Sequence, residues 1–184
     1  PYANICPISG TLGPITITRM GRNLMQYASK SQTTSSGITY SINADGEIIF
    51  AEGTATGNGD VYQTITAPFT LKAGQAYTFS ISGVAITGIV SVHIRSGSAY
   101  PLYYTLSNGK MTFTPDTDIN MTGLLIRFRS GATVAAGTAH VQIETGDTAT
   151  EYAPYNGATY TVTIPSEAGT VYGGTLTVNS DGSG

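Results

Sequence analysis

The chain has 184 residues, a formal net charge of −3 and only 10% charged residues, together with 23 glycines and 12 tyrosines. This acidic balance excludes the basic surface that nucleic acids and anionic membranes attract, and no apolar run reaches the roughly 20 residues that cross a bilayer. The composition favours strands and turns, so we expect an all-β protein with one main domain and a short appendage, and neither nucleic acid binding nor membrane insertion.

Residues 1–22 predict an extended lead-in with one short strand. Prolines and glycines interrupt this segment, and only residues 15–18 alternate apolar and polar side chains. Cys6 is the single cysteine, so a disulfide within the chain is excluded, and we interpret Cys6 as a small apolar filler. The chain starts without a Met and ends in a turn-like tail, which favours a segment of a longer protein.

The alternation becomes regular after residue 37. Residues 38–42 and 48–50 place an apolar side chain at every second position, and the Asn-Ala-Asp-Gly sequence at 43–46 is typical of a turn. This pattern predicts a β-hairpin.

Further strands follow at intervals of about 8–12 residues, separated by turn signals, and such spacing predicts a sandwich or jelly roll over residues 23–153. The Asn108-Gly109 pair is the strongest hairpin signal, because both residues accept the positive φ of a type I′ turn. The predicted strands are 61–66, 77–81, 90–94, 102–106, 110–113, 124–129 and 139–144. The last two of these, 124–129 and 139–144, are predicted to form another hairpin.

The stretch 141–155 predicts the closing strand of the main domain followed by its exit. Its first half alternates as a half-buried strand does, and residues 148–155 are expected to lead the chain away from the sandwich. Residues 154–184 then contain two short β segments, 160–164 and 175–178, which we expect to pair with the lead-in strand as a small satellite sheet.

Strand parity brings out a group of polar residues that contains both histidines of the chain. On each of three predicted strands the polar side chains emerge on one face. If the three strands are neighbours in one sheet, their forked donors and acceptors match the paired hydroxyls of a sugar, and nearby tyrosines supply a flat surface for its C–H face. The alternative is a solvated outer face with surface ion pairs. The candidate ligand-binding residues are His93, Arg95, Arg127, Arg129, Gln142, Glu144, Tyr100, Tyr103 and Tyr104.

Metal and enzyme signals are weak. Asp116, Asp118 and Asn120 have the opening spacing of a calcium loop, but Met121 and Arg127 stand where such a loop has its Gly and its closing Glu. The alternative is an ordinary acidic turn. No nucleophile elbow or phosphate loop is present, so we expect a protein that is not an enzyme and has no cofactor, with a structural calcium left open as the exception.

Several stretches taken together resemble a domain of tail and minor structural proteins from phages and prophages of Gram-positive bacteria. The chain departs from the usual pattern by having no Trp and by an extra residue, Glu52. The stretches that carry the resemblance are 4–10, 21–24, 37–46, 53–56, 71–83, 141–155 and 172–176.

The resemblance implies a jelly-roll β-sandwich similar to carbohydrate-binding modules and galactose-binding domains, carried on a tail or baseplate protein of the virion. It implies a non-catalytic, glycan-binding accessory module that acts in host adhesion at the host cell surface. The partners it implies are a cell-surface or cell-wall glycan and other phage tail proteins, and a homo-oligomer stays open. The alternatives are a purely architectural virion domain and an accessory domain of a secreted glycan-active enzyme.

Overall fold

A computed structural model describes residues 15–19 and 21–162 of the chain. Over these residues the secondary structure is entirely β, and none of them belongs to a helix that could cross a membrane. The strands are β1 (Ile15–Arg19), β2 (Lys30–Ser35), β3 (Ile38–Ile42), β4 (Ile48–Phe50), β5 (Gly53–Thr54), β6 (Gly59–Leu71), β7 (Tyr77–Ser82), β8 (Ile86–Thr87), β9 (Val90–Ser96), β10 (Ala99–Thr105), β11 (Lys110–Phe113), β12 (Ile119–Phe128), β13 (Thr133–Val134), β14 (Gly137–Thr145) and β15 (Ala158–Val162).

The chain divides into two compact units, one made of Pro1–Met20 with Gly157–Gly184 and the other of Gly21–Asn156. In the first unit β1 and β15 form an antiparallel pair in which Ile15 lies opposite Val162. Cys6 and the predicted strand 175–178 lie outside the described residues. The domain boundaries at 22/23 and 153/154 stay predictions.

The second unit is a jelly-roll β-sandwich, as the sequence predicts. One sheet has four strands in the order β10-β9-β12-β6, and the other has six in the order β11-β7-β14-β4-β3-β2. Eight of these strands form the jelly roll, and we number them one to eight in chain order: β4, β6, β7, β9, β10, β11, β12 and β14. Read from the β6 edge, the four-stranded sheet then has the order 2-7-4-5. Read from β4, the corresponding part of the six-stranded sheet has the order 1-8-3-6. The chain thus crosses repeatedly between the sheets, and its first and last strands are neighbours, which is the double Greek key of a jelly roll.

Alternate residues of the two large sheets meet in one apolar core. Val92 and Ile94 of β9 are fully buried on one side of it, and Ile143 of β14 is fully buried on the other. Phe128 of β12 contacts Phe50 of β4 edge to face, with ring centroids 5.8 Å apart, so the sheets pack directly on each other. Because side chains alternate along a strand, the residues between these core positions point to the outer faces.

The predicted hairpin at 38–50 is confirmed. Ile42 of β3 lies opposite Ile48 of β4, and the turn is closed by hydrogen bonds from Asn43 N to Glu47 O (3.0 Å) and from Gly46 N to Asn43 O (3.1 Å). Gly46 has a φ of 81°, which glycine adopts without strain.

The Asn108-Gly109 turn forms, but it does not connect two strands of one sheet. Both residues have positive φ, 50° and 73°, as a type I′ turn requires. However, β10 pairs with β9 whereas β11 pairs with β7, so the turn carries the chain from the four-stranded to the six-stranded sheet. The predicted hairpin of 124–129 with 139–144 is wrong for the same reason, because β12 and β14 belong to different sheets.

Candidate functional site

Four side chains form a row across the outer face of the four-stranded sheet. In the strand register Tyr103 of β10 lies opposite His93 of β9, His93 opposite Leu125 of β12, and Leu125 opposite Tyr62 of β6. Four more side chains flank this row. We call the whole surface the tyrosine face, and it consists of Asp60, Tyr62, His93, Arg95, Tyr100, Tyr103, Leu125 and Arg127.

A β-bulge adds Tyr100 to the tyrosine face. In a regular strand Tyr100 and Tyr103 would point to opposite sides, because they are an odd number of residues apart. The register between β10 and β9 shifts between Ala99 and Leu102, and such a shift re-aims a side chain. The Tyr100 ring meets the His93 ring at right angles (89°, centroids 6.1 Å apart), and the Tyr103 ring stacks on His93 (21°, 5.5 Å).

The rings lie over an apolar floor. Leu125 is on the outer side of the sheet and outside the interior cluster, yet it is only 2% exposed, because Tyr62 and His93 flank it on the neighbouring strands. The tyrosines themselves stay open: Tyr62 is 42%, Tyr100 40% and Tyr103 68% exposed. The only other large apolar side chains with comparable exposure among the described residues are Ile49 and Ile89, so exposed aromatic surface is concentrated here.

A two-fold hydrogen-bonded ion pair fixes the polar side of the face. Arg127 donates from Nε to Asp60 Oδ1 (2.6 Å) and from Nη2 to Asp60 Oδ2 (2.7 Å), and Tyr62 donates its hydroxyl to Asp60 Oδ2 (3.2 Å). The hydrogen bond to Asp60 raises the pKa of Arg127. Burial, and then the Asp60 charge, raise the pKa of the Tyr62 hydroxyl. The Tyr62 ring is thereby held in place as a neutral group.

Arg95 lies across Gly123 on the neighbouring strand. A Cβ at position 123 would stand 2.7 Å from Arg95 Nε and equally close to the main-chain oxygen of Gln63. Glycine is therefore required here so that the guanidinium can lie on the sheet. Arg95 Nε is buried and has no hydrogen-bond acceptor among the described residues.

His93 acts as a flat neutral ring rather than as a charge. Burial, and then the nearby Arg127 charge, lower its pKa below the ordinary 6.5. Its Nε2 lies 3.2 Å from Ser91 Oγ, which fixes the ring plane against Tyr103. At neutral pH the ring can offer one donor or acceptor to a ligand.

The structure brings together five of the nine predicted site residues on the tyrosine face: His93, Arg95, Tyr100, Tyr103 and Arg127. Arg129 lies just beyond the end of β12, exposed, with its Nη1 3.4 Å from Asn58 Oδ1. Tyr104 is placed differently from the prediction. It points inward, is partly buried against the core, and packs on Phe113 at 5.5 Å. Ligand binding by these residues stays a prediction.

The prediction that the strand 139–144 joins the same face is wrong. β14 is in the six-stranded sheet, and Gln142 and Glu144 are buried there, 0% and 3% exposed. Glu144 accepts hydrogen bonds from Thr150 N (2.8 Å), Thr150 Oγ1 (2.6 Å) and Gln142 Nε2 (2.9 Å). Burial would raise its pKa, but these hydrogen bonds outweigh burial and hold the pKa below the ordinary value.

Residues 148–155 therefore do not simply lead the chain away, as the sequence predicted. They lie against the outer face of the six-stranded sheet, where Ala153 N donates to Gln142 Oε1 (2.9 Å) and Tyr152 packs on His140 with ring centroids 4.4 Å apart. A cleft of about 400 Å³ remains beside this segment, lined by Ser80, Ser82, Gly83, Lys110, His140 and Tyr152, among others.

The central residue of the predicted calcium site, Asp118, has another role. Asp118 accepts hydrogen bonds from Lys72 Nζ (2.8 Å) and from Ala73 N (2.9 Å). The bond from Lys72 lowers the pKa of Asp118. Asn120 is a strand residue of β12 opposite Thr70. In the part of the chain that the structure describes, no three His, Cys, Asp or Glu side chains are grouped as metal ligands would be.

Sequence reasoning missed three members of the tyrosine face: Asp60, Tyr62 and Leu125. A signal for the first two was available, because Val61 and Ile65 alternate with polar residues along β6 and parity alone places Asp60 and Tyr62 outside. Leu125 gave none, since a leucine beside Leu124 and Ile126 reads as core.

No protein-family model matches the sequence, and a search of curated proteins finds no match. Among solved structures, the fold is similar to a low-affinity xylan-binding module, CBM86, from the xylanolytic gut symbiont Roseburia intestinalis. The two share 13% sequence identity with a TM-score of 0.44, over 72% of this chain and 96% of that chain. Xylan binding is a property of that module, and a likeness of this extent carries no argument about the ligand of this chain.

Proposed function

We propose that this chain is a non-catalytic glycan-binding module and that the tyrosine face is its binding surface. The observation that carries the proposal is the row of Tyr103, His93 and Tyr62 across the four-stranded sheet, with Tyr100 beside it, over the buried floor of Leu125. A pyranose ring has an apolar C–H face that packs on an aromatic ring and hydroxyls that pair with fixed polar groups. The tyrosine face offers both in one plane.

The shape of the face favours a chain of sugars over a single ring. Tyr103 and Tyr62 are on the first and fourth strands of the sheet, so their attachment points are about 14 Å apart. An open sheet surface buries only one side of a ligand, and weak binding follows. A few ring contacts at roughly 0.5–1.5 kcal/mol each, with hydrogen bonds to Arg127 and Asp60, correspond to a Kd of about 1 mM or somewhat tighter.

The carboxylate content of the face supports binding without catalysis. Glycoside cleavage needs two carboxyl groups, which flank the glycosidic bond that is cleaved. Asp60 is the single carboxylate of the tyrosine face, and both its oxygens are held by Arg127. A glycan on this surface would meet one neutralised acid.

The wider setting rests on the sequence resemblance. We propose a tail or baseplate protein of a phage virion, in which the module helps adhesion to saccharides of the host surface. The architectural alternative predicts the same fold with no ligand. The remaining alternative is an accessory domain of a secreted glycan-active enzyme. Mapping the neighbouring genes distinguishes it from the two virion alternatives, because phage tail genes support a virion protein and an operon for glycan degradation supports the secreted enzyme.

Binding to soluble polysaccharides and to purified Gram-positive cell walls, by affinity electrophoresis and pull-down, tests the proposal. We expect Tyr103→Ala to weaken binding about fivefold to tenfold and Tyr103→Phe to retain most of it, because the ring rather than the hydroxyl packs on the sugar. Tyr152→Ala is the matched control, since Tyr152 lies in the cleft of the six-stranded sheet.

The outcomes separate the possibilities. Binding that is lost in Tyr152→Ala and kept in Tyr103→Ala would move the site to that cleft and refute the tyrosine face. A wild-type protein that binds no wall or saccharide at millimolar concentration would favour the architectural alternative.

A further inference from the structure

The positive charges of this acidic protein are concentrated around the tyrosine face. The chain has eight Lys and Arg residues against eleven Asp and Glu. Four of these cations lie on the face or at its margin: Lys30, Arg95, Arg127 and Arg129. The carboxylate that acts on the pKa values of His93, Tyr62 and Arg127 is Asp60.

Only one of the four positive charges is neutralised on the face. Asp60 pairs with Arg127 through both oxygens. Within the described residues, no carboxylate is within ion-pair distance of Arg95 or Arg129. Lys30 donates to the Tyr40 hydroxyl (2.8 Å) and its ammonium stands 5.8 Å from the centre of the Tyr62 ring, at the margin of the face.

The unpaired arginines flank the aromatic row on both sides. Arg95 lies opposite Gly123, two residues before Leu125 on β12, which places it about 7 Å from the row. Arg129 follows Leu125 by four residues, about 13 Å along the strand direction on the other side. A saccharide chain lying along the row would therefore have one guanidinium on each side, that of Arg95 and that of Arg129.

The hydrogen bonding of Arg95 is an independent reason to expect an anion beside the row. Its Nε is buried against Gly123, without an acceptor in the described part of the chain. The outer nitrogens of the same guanidinium are not buried in this way, and none of them donates a hydrogen bond within the described residues. A carboxylate or phosphate oxygen arriving beside the row would be met by these outer nitrogens, and hydrogen bonds between charged partners are the strong ones.

We infer that the tyrosine face takes an anionic saccharide, a chain carrying carboxylate or phosphate groups, and that Arg95 recognises its charge. The inference rests on the proposed glycan binding by the same face. Neutral sugars would use the rings with Arg127 and Asp60, whereas an anionic chain would add Arg95 and Arg129 to these contacts.

Two pairs of polymers with the same backbone test the inference and separate the two sources of charge. Polygalacturonate is compared with its methyl ester for carboxylate, and a phosphomannan with its dephosphorylated mannan for phosphate. We expect the anionic member of at least one pair to bind about tenfold more tightly at low salt. The preference should shrink at 0.5 M NaCl, where screening is strong.

Variants assign the preference to Arg95. Arg95→Gln should reduce the ratio of anionic to neutral polymer binding about fivefold, and Arg129→Gln, at an exposed position, should reduce that ratio about twofold. Lys110→Gln, on β11 of the other sheet, is the matched control and should change nothing. A thermal melt of each variant excludes misfolding, and Arg129→Gln keeps the test valid if Arg95→Gln unfolds.

The failure of this inference is distinguishable from failure of the proposed function. Equal binding of charged and neutral partners in both pairs, lost in Tyr103→Ala, would overturn the charge inference and leave the glycan face intact. A preference for the anionic polymers that survives in both Arg95→Gln and Arg129→Gln would also overturn it. No binding of any of the four polymers or of purified cell walls would overturn it together with the glycan face.

Discussion

The substitution Glu144→Gln tests whether the exit segment is held on the sandwich by one buried carboxylate. Glutamine has the same shape and can keep the hydrogen bond to Thr150 N, but it removes the negative charge. The carboxylate now accepts three hydrogen bonds, of 2.6, 2.8 and 2.9 Å, from Thr150 and Gln142. At 3% exposure the residue is shielded from water, so these bonds are not screened.

The magnitude follows from these bonds. A hydrogen bond to a charged group contributes roughly 1 kcal/mol more than a neutral one, which gives about 3 kcal/mol for three bonds. Removing the buried charge also removes its desolvation penalty, which offsets part of this sum. We expect a net loss of about 1–2 kcal/mol in the free energy of unfolding, or roughly a 3–8 °C fall in Tm for a domain of this size.

The pH dependence gives the sharper assay. The pKa of Glu144 lies below its ordinary 4.5, so its stabilisation is fully present above pH 4.5 and is lost as the pH falls through the lowered, folded-state pKa. Melting curves of wild type and Glu144→Gln should therefore differ at pH 7, and the difference should shrink as the pH falls below 4.5. Hydrogen exchange at the Thr150 amide should accelerate in the variant at pH 7. Equal Tm values at pH 7, or a difference that does not shrink as the pH falls below 4.5, would refute the reasoning.

Two glycine substitutions test the turn between the sheets and the seat of Arg95. Gly109→Ala should lower the free energy of unfolding by about 2–4 kcal/mol in urea titrations, because φ is 73° and the new Cβ would lie 2.7 Å from Ile81 O. Gly97→Ala, with a φ of 59° and nothing within 4 Å, is its control and should lose only about 1 kcal/mol; equal losses would contradict the close contact. Gly123→Ala should displace the Arg95 guanidinium and reduce the preference for anionic polymers about as much as Arg95→Gln does, whereas an unchanged preference in a folded variant would contradict the role of Arg95.

The order of strands was the part of the fold that alternation in the sequence could not predict. Alternation identifies which side of a strand faces the core, and it does so correctly for β9, where Val92 and Ile94 are buried and His93 is not. It contains no information on the neighbouring strand, which depends on contacts far apart in sequence. Hence the Asn108-Gly109 turn was predicted with the right conformation and the wrong partners.

The same limit explains Gln142 and Glu144. Parity correctly places them on the outer side of their strand, and an outer polar residue is usually interpreted as solvated. Here the outer side is covered by residues 148–153, whose backbone donors pair with both side chains. A buried polar residue and an exposed one produce the same alternation in the sequence, because both differ from the apolar core side.

Tyr100 shows where parity itself fails, and the failure bears on function. Counting by twos from Tyr103 assigns Tyr100 to the core side and Tyr104 to the same side as Tyr100. The bulge between Ala99 and Leu102 breaks that count, so Tyr100 reaches His93 on the outer face while Tyr104 stays inside. A bulge leaves a residue unpaired in the ladder. At this position it sets a third exposed tyrosine beside the row, where the proposed glycan contact would use its ring.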